Sequence, residues 1–318
     1  MRALVINGSC NIFTVKRLFE NTPSSNSGEY YECRIKGKVL NCKDGDEFYN
    51  PIAPGDIVEF ERDNACNTND AKITSLHKRK NSFERLNTKN NKRQVLAANV
   101  DLVICVTSIV NPPWRPRFID RVLLQCEYEN IPSLLLINKI DLSTFPLSDE
   151  LQERLEVFRQ IGCDVHYVST FTKEGIDELQ NILRGKVSVL VGQSAVGKSS
   201  ILNTLFPNAN LKTGTLNKKY DRGNHTTVQS KLFENDNFSI IDTPGIRQFI
   251  PSGIEKSQVI HYMRDISSYA LKCEYGASCT HSNEKGCAVQ AALQDGLIND
   301  DRFTSYLNIV NTFPKSFL

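Results

Sequence analysis

The pattern of hydrophobic and polar residues divides the chain near residue 95. Before that point, short apolar runs alternate with polar turns, at residues 4–6, 12–15, 30–35, 39–40 and 56–60. Short strands at this spacing predict a small antiparallel barrel, and Pro54-Gly55 is a turn signal ahead of the last run. A barrel of five such strands is an OB-fold, which commonly binds oligonucleotides. Small barrels also serve as plain interaction modules, so RNA binding is one of two open interpretations.

Beyond residue 95, apolar runs alternate with amphipathic segments. The runs at 102–106, 133–137, 165–168 and 187–191 predict buried strands, and the segments at 117–129, 150–161 and 175–183 predict helices. This alternation predicts a mostly parallel, doubly wound sheet. Its ligand is expected beyond the carboxyl ends of the strands.

The strand predicted at 187–191 leads into a G-x-x-x-x-G-K-S motif and then into a helix. This context favours a phosphate-binding loop, because inward N–H groups and the positive end of the helix dipole attract phosphate. Lys198 is expected to reach the β- and γ-phosphates and Ser199 to ligate Mg²⁺. The alternative is an ordinary glycine-bearing turn. The predicted nucleotide contacts, called the P-loop below, are Gly192, Gln193, Ser194, Ala195, Val196, Gly197, Lys198, Ser199 and Ser200.

A second motif, N-K-x-D, follows the strand at 133–137 and indicates guanine. The carboxylate of Asp141 is expected to accept hydrogen bonds from the ring N–H and the amine of guanine. Adenine lacks that donor pair and would leave the carboxylate unpaired, so GTP is favoured over ATP. Alone, four residues in an exposed turn would be a weak match. The predicted base contacts are Asn138, Lys139, Ile140 and Asp141, with Ser169 and Thr170 at the end of the next strand.

Two further segments are expected to sense the γ-phosphate. The polar segment 212–227 is expected to become ordered when Thr226 or Thr227 joins the Mg²⁺ shell. The D-T-P-G motif follows an apolar run at 238–241, which places Asp242 to bind Mg²⁺ through water and Gly245 to donate its N–H to the γ-phosphate. By itself this motif could be a mere turn.

The order of these motifs is unusual. A GTPase ordinarily presents the P-loop first and N-K-x-D last, whereas here N-K-x-D comes first and D-T-P-G last. A circularly permuted sequence can form the same sheet as an ordinary GTPase, because the motifs come together in space and not in sequence. The segment after Gly245 then runs directly into the C-terminal region and could pass the nucleotide state to it.

The C-terminal region concentrates metal-ligand residues. Three thiols and one imidazole within a short stretch predict one closed, structural zinc site, and a chance cluster of buried cysteines is the alternative. Helical patterns at 257–271, 289–297 and 301–310 surround it. The predicted ligands are Cys273, Cys279, His281 and Cys287.

The composition limits the number of domains and the classes of partner, but it does not identify a function. The chain has 318 residues, which favours two or three domains, and a net charge of +2, which is too small to indicate a nucleic-acid partner. Basic residues concentrate at 78–93. This segment is interpreted either as a solvated linker or as a phosphate-contacting arm. No apolar run approaches about 18 residues, so we expect a cytoplasmic protein without a membrane partner.

Together these motifs resemble the ribosome small subunit-dependent GTPase A family of circularly permuted GTPases. The resemblance implies a multidomain α/β protein with an OB-fold RNA-binding barrel at 1–82, a permuted G domain at 83–251 and a helical zinc domain at 252–318. It also implies GTP hydrolysis to GDP and phosphate, stimulated by the small ribosomal subunit, whose late maturation the protein assists. Expected partners are that subunit, its rRNA, GTP and GDP, with the chain a monomer. Two residues depart from the family: Ala195 replaces a common glycine, tolerated only if its φ is negative, and Asn224 replaces a basic residue.

The catalytic residue is a hypothesis. Ile246 follows the D-T-P-G motif and is apolar, so another group must orient the attacking water. The family's proposed catalytic histidine corresponds to His225, although a structural role is the alternative. A GTP-gated RNA-binding module with negligible hydrolysis remains the alternative function, and an ATP-dependent enzyme is disfavoured by Asp141.

Overall fold

The computed structural model describes residues 1–9, 11–19, 29–35, 48–62, 70–209, 211, 230–282 and 284–313. The run predicted at 39–40 lies outside the described residues, and so do Asn224, His225, Thr226 and Thr227.

The N-terminal region is a closed five-stranded barrel, as predicted. Its strands are β1 (Arg2–Ser9), β2 (Ile12–Arg17), β3 (Tyr30–Ile35), β4 (Ile57–Arg62) and β5 (Asp70–Leu76). They pair in the order β1-β2-β3-β5-β4, and β4 pairs back with β1 to close the barrel. Alternate residues such as Val15, Phe60 and Ile73 fill the interior and are fully buried. Strand β5 was not among the predicted runs, because its sequence carries few strongly apolar residues.

The basic segment that follows is a β-hairpin, so its interpretation as a solvated linker is wrong. The hairpin consists of β6 (Ser82–Asn87) and β7 (Lys92–Ala98). Phe83 is fully buried, and its ring stacks on Phe249 at a centroid distance of 5.6 Å. Glu84 is also buried and accepts a hydrogen bond of 2.9 Å from Nε of Arg93. The hairpin is therefore packed against the fold by Phe83, and the ion pair of Glu84 and Arg93 joins its two strands.

The central part is the predicted parallel sheet with helices on both faces. Its elements are β8 (Leu102–Thr107), α1 (Pro116–Tyr128), β9 (Ser133–Asn138), α2 (Asp149–Gln160), β10 (Asp164–Val168), α3 (Ile176–Leu183), β11 (Val187–Gly192), α4 (Lys198–Leu205), β12 (Lys231–Glu234) and β13 (Ser239–Asp242). The order is β10-β9-β8-β11-β13-β12, and only β12 is antiparallel to its neighbour β13. Val103 and Cys105 pack with α1 and α2, whereas Ile104 and Val106 pack with α3 and α4. Alternate residues of one strand thus serve two cores, which is why the run is apolar throughout.

The C-terminal region is helical. After a 3₁₀ helix (Lys256–Tyr262) come α5 (Arg264–Ala270), α6 (Ala288–Gln294) and α7 (Asp300–Thr312). The single helix expected at 257–271 is thus two pieces, separated at Met263, which is buried with φ −113°. None of the described helices is long and apolar enough to cross a membrane.

Buried charges join this region to the central sheet. Arg302 on α7 donates to Asp120 on α1 (Nη1 to Oδ1, 2.6 Å) and to Asp265 on α5 (Nε to Oδ2, 2.9 Å). Arg154 on α2 donates to the other oxygen of Asp120. Asp120, Arg154 and Arg302 are nearly inaccessible to solvent. Removing one partner from such a cluster typically costs about 3–5 kcal/mol, because it leaves an uncompensated buried charge.

Candidate functional site

The two predicted nucleotide motifs touch at the carboxyl edge of the sheet. Asn138 ends β9, and its Nδ2 donates a hydrogen bond of 2.9 Å to the carbonyl oxygen of Val196, which is 58 residues away in the sequence. Lys139 adopts a left-handed backbone conformation, with φ 64°, and its Nζ donates to the carbonyl oxygen of Ala195 at 2.8 Å. Two side chains of N-K-x-D therefore support the P-loop backbone directly.

Both glycines of the P-loop are required by its geometry. A Cβ on Gly192 would lie 2.5 Å from the carbonyl oxygen of Val106. Gly197 has φ +98°, and a Cβ there would lie 2.2 Å from Nδ2 of Asn138. Ala195 also has a positive φ, 67°, so the condition for tolerating alanine is not met and the loop is strained at this position.

Lys198 turns back on its own loop. Its Nζ donates to the carbonyl oxygens of Gly192 (2.9 Å) and Gln193 (3.1 Å), and the side chain is 7% exposed. Burial lowers the pKa of Lys198 from its ordinary 10.5 to about 8, against the opposing attraction of Asp242. A bound phosphate would give the amine of Lys198 an anion as its partner in place of two neutral carbonyl groups. Phosphate binding is therefore most favourable when this amine is charged.

The base end of the site is arranged by a serine. The hydroxyl of Ser169, fully buried at the end of β10, donates to Oδ1 of Asp141 at 2.5 Å. The Oγ of Ser169 in turn accepts hydrogen bonds from the N–H groups of Phe171 (3.2 Å) and Thr172 (3.1 Å). Asp141 itself is exposed, so its carboxylate is held from one side and free to meet a base from the other. Ser169 was predicted only as a contact of the base, and nothing in the sequence indicated its hydrogen bond to Asp141.

The D-T-P-G motif lies against the P-loop. Asp242 ends β13 and is buried, and the hydroxyl of Thr243 donates to the carbonyl oxygen of Leu190 at 2.7 Å. A Cβ on Gly245 would lie 3.2 Å from Cα of Ser194. The N–H of Ile246 donates to the carbonyl oxygen of Gly192 at 3.2 Å, and its side chain is buried in the core. The motif and the P-loop thus form one connected surface.

The predicted metal ligands form a compact, buried cluster in the C-terminal region. The ligand atoms of Cys273, Cys279, His281 and Cys287 all lie within 4.8 Å of one another. Sγ of Cys273 is 3.8 Å from Sγ of Cys287 and 3.4 Å from Nδ1 of His281, which is 3.6 Å from Sγ of Cys287.

These separations fit one small tetrahedral ion. Zinc bonds of about 2.3 Å to sulfur and about 2.0 Å to nitrogen require edges of roughly 3.8 Å between sulfurs and roughly 3.5 Å between sulfur and nitrogen. The intervening loop is held by Glu284, whose carboxylate accepts hydrogen bonds from the N–H groups of Thr280 (2.7 Å) and Ser282 (2.9 Å). The hydrogen bond from the Thr280 hydroxyl is the main reason that the pKa of Glu284 falls to about 2.

The fold and these contacts describe a P-loop protein of the GTPase class with permuted motifs. A family profile described as RsgA GTPase matches residues 76–250, and the chain belongs to this family of GTP-hydrolysing enzymes.

Relatives extend the match over the whole chain. A protein named small ribosomal subunit biogenesis GTPase RsgA from Flavobacterium psychrophilum is 34% identical, covering 100% of this chain and 94% of the relative. A protein of the same name from Chlorobaculum tepidum is 38% identical, and the match covers 84% of this chain and 86% of the relative.

Two solved structures share the fold. YjeQ from Thermotoga maritima has a TM-score of 0.68 at 26% identity, covering 98% of this chain and 97% of that one. YloQ, described as a circularly permuted GTPase, has a TM-score of 0.66 at 24% identity, and the match covers 99% of this chain and 96% of that one.

We expect Gly197→Ala to weaken GDP binding at least about tenfold, because left-handed alanine costs about 1–2 kcal/mol and its methyl group displaces Asn138. Ala195→Gly is the matched control, because it removes a methyl group at a similar φ and should bind GDP at least as well as the parent. Calorimetric titration of both variants measures the two dissociation constants. Equal affinity in Gly197→Ala and the parent chain would contradict the geometry.

The lowered pKa of Lys198 predicts proton uptake on nucleotide binding. At pH 8 about half of the free chains hold a neutral amine, and phosphate contact restores the charge, so GDP binding should take up about half a proton. Calorimetry at pH 8 in two buffers of different ionisation enthalpy measures this number. Lys198→Arg should take up none, since its guanidinium stays charged throughout. Identical heats for the parent chain in both buffers would show that Lys198 is already charged.

Proposed function

We propose that this chain binds GTP at the edge where N-K-x-D meets the P-loop and hydrolyses it to GDP and phosphate during late maturation of the small ribosomal subunit. The observation that carries the site is the hydrogen bond from Asn138 to the carbonyl oxygen of Val196, which joins the base-reading and phosphate-binding motifs. The names of the relatives support the ribosomal part of the proposal.

The roles of the residues follow from their positions. Asp141, oriented by Ser169, accepts hydrogen bonds from guanine, and the stem of Lys139 lies along the base. The P-loop N–H groups and Lys198 surround the β- and γ-phosphates. Magnesium, when bound, neutralises charge on the transferred phosphoryl group. Its protein contacts are proposed to be Ser199, one of Thr226 and Thr227, and Asp242 through water.

Hydrolysis requires a positioned water opposite the leaving oxygen. The side chain of Ile246 is buried in the core and apolar, so it cannot hydrogen-bond to that water. We propose that His225 orients it when the chain is bound to the small subunit. The water then attacks the γ-phosphorus, the bond to the β–γ bridging oxygen breaks, and Gly245 donates its N–H to a γ-phosphate oxygen.

We assign the metal cluster to one structural zinc ion. Three thiols and one imidazole supply four soft ligands, and all four side chains are buried, so the set completes a tetrahedron without an open position. The cluster lies in the same hydrophobic core as Leu124 of α1. A metal ion there would hold the C-terminal helices in the form that packs on the G domain.

We expect the purified chain to carry one zinc per molecule, and Cys287→Ser to lower the metal content to near none, because a three-ligand site binds zinc far more weakly. Atomic emission measures the metal, and thermal unfolding should show a lower midpoint for this variant. Cys163→Ser is the control, since Cys163 is buried in the central core and outside the cluster. Full zinc content in Cys287→Ser would contradict the assignment.

The division into domains and the partners belong to the same proposal. Boundaries at 82 and 251 are supported by separate hydrophobic cores: one within the barrel, and another in which C-terminal residues predominate. We propose that the barrel contacts rRNA of the small subunit and that the chain acts as a monomer in the cytoplasm.

Hydrolysis with purified subunits tests the function. We expect small subunits to raise GTP turnover at least about tenfold over the free enzyme, because binding completes the active site, and large subunits to leave it unchanged. Released phosphate under multiple turnover is the measurement. His225→Ala should lose this stimulation and keep the affinity of the parent chain for GDP.

Equal turnover with small subunits, with large subunits and with neither would contradict the ribosomal role and leave a GTPase with another partner. Full stimulation in His225→Ala would refute only the role of the histidine.

A further inference from the structure

A cavity of about 450 Å³ lies beside the nucleotide site and is not used by the proposed mechanism. It opens to solvent and is lined by the beginning of α1, by Gln193 of the P-loop and by the segment 247–249 that follows D-T-P-G. Its volume is within the range of about 300–1,000 Å³ that is typical of ligand pockets. Any occupant would contact two elements of the nucleotide site.

The walls of the cavity are strongly basic. Four arginines line it: Arg115, Arg117, Arg121 and Arg247. No carboxylate among the described residues forms a salt bridge with any of them, and the Nε of Arg121 is buried without a hydrogen-bond acceptor. The one acidic residue of the lining, Asp301, is already engaged with Arg154 at 3.2 Å. The arrangement therefore favours an anion with several oxygens.

An aromatic ring completes the lining. Trp114 is half-buried, its backbone N–H donates to the carbonyl oxygen of Ile109 at 3.0 Å, and its ring centroid lies 6.4 Å from that of Phe158. The indole is thus packed against the central core beside the arginines. Guanidinium groups next to a fixed aromatic face are the combination that holds a phosphate and a stacked base of single-stranded nucleic acid.

We propose that this cavity binds one nucleotide of single-stranded RNA, with its phosphate between Arg115, Arg117 and Arg247 and its base against Trp114. An acidic protein loop would satisfy the arginines but would leave the indole face without a partner. The inference goes beyond the proposed function, because it assigns an RNA contact to the G domain and can be tested with RNA alone. Its failure would leave the subunit-stimulated hydrolysis untouched.

Trp114 is the only tryptophan of the chain, so its fluorescence reports on this cavity alone. We would titrate the full chain, saturated with GDP, with a ten-nucleotide single-stranded RNA and follow both tryptophan emission and the anisotropy of a label on the RNA. The proposal expects saturable quenching that follows the anisotropy curve.

Variants separate this cavity from other basic surfaces. The pair Arg115→Ala and Arg117→Ala should weaken RNA binding at least about tenfold and reduce the salt slope by about 0.7, the value for loss of the one phosphate contact in the cavity. The matched control, Arg159→Ala with Arg184→Ala, removes two exposed arginines outside the cavity and should change affinity less than twofold. Trp114→Ala should weaken binding about fivefold or more by anisotropy, and Trp114→Phe should retain most of it.

Equal affinities in the two arginine pairs, or RNA binding without quenching, would overturn the proposal. The proposal would also be overturned if an acidic peptide, or GDP beyond one equivalent, quenched the tryptophan fluorescence while RNA did not. Circular dichroism and an unchanged GDP dissociation constant for each variant establish that the fold and the P-loop site are intact.

Discussion

The support of the P-loop by the N-K-x-D turn is the constraint on which the nucleotide site depends. A phosphate-binding loop needs N–H groups pointing inward, which turns its carbonyl groups outward and leaves them in need of donors. Asn138 and Lys139 supply two of these donors, to Val196 and Ala195. The same amide of Asn138 excludes a side chain at position 197. The base-reading motif is therefore also a structural part of the P-loop. The two motifs stay in contact although they are far apart in the sequence.

This dependence explains why a permuted order is compatible with one site. The hydrogen bonds join backbone and side-chain atoms at the ends of β9 and β11, and both strands pair with β8. Neither contact depends on which motif comes first in the chain. What permutation changes is the connection after D-T-P-G, which leads to helices held by the cluster of Asp120, Arg302 and Asp265. Because such a cluster loses stability when one member is removed, it fixes the C-terminal region to α1.

The sequence was sufficient to predict the sheet, the barrel, the order of the motifs and the metal cluster. Each of these rests on a local signal: alternation of apolar runs, a glycine spacing, or cysteines near one another. Contacts between distant side chains left no such signal. The hydroxyl of Ser169 meets Asp141 only because Val168 and Asn138 are in register on neighbouring parallel strands.

Local composition misled at one place, and at a second the sequence left the backbone conformation open. The segment 78–93 is rich in lysine and arginine, which is typical of solvated chain, yet Phe83 and Glu84 are buried. A buried carboxylate needs a cationic partner, and Arg93 on the neighbouring strand provides it. Ala195 keeps a left-handed conformation against its own preference, because the hydrogen bond from Lys139 to its carbonyl oxygen fixes the turn.

Arg93 lies at a junction between the hairpin, residues 48–49 and the segment after D-T-P-G. Its guanidinium lies over the ring of Phe48, 4.8 Å from the centroid, and its carbonyl oxygen accepts from the N–H of Tyr49. On the other side, a Cβ on Gly253 would lie 3.3 Å from its Nη2. Burial and the charge of Glu84 raise the pKa of Glu129 to about 7, opposed by Arg93.

Arg93 therefore lies near the buried carboxylate of Glu84 and the half-buried carboxylate of Glu129, where residues 48–49, the hairpin, the end of α1 and the segment after D-T-P-G meet. Removing Arg93 would leave Glu84 buried without its cationic partner and would raise the pKa of Glu129 further, so this junction of the fold depends on one side chain.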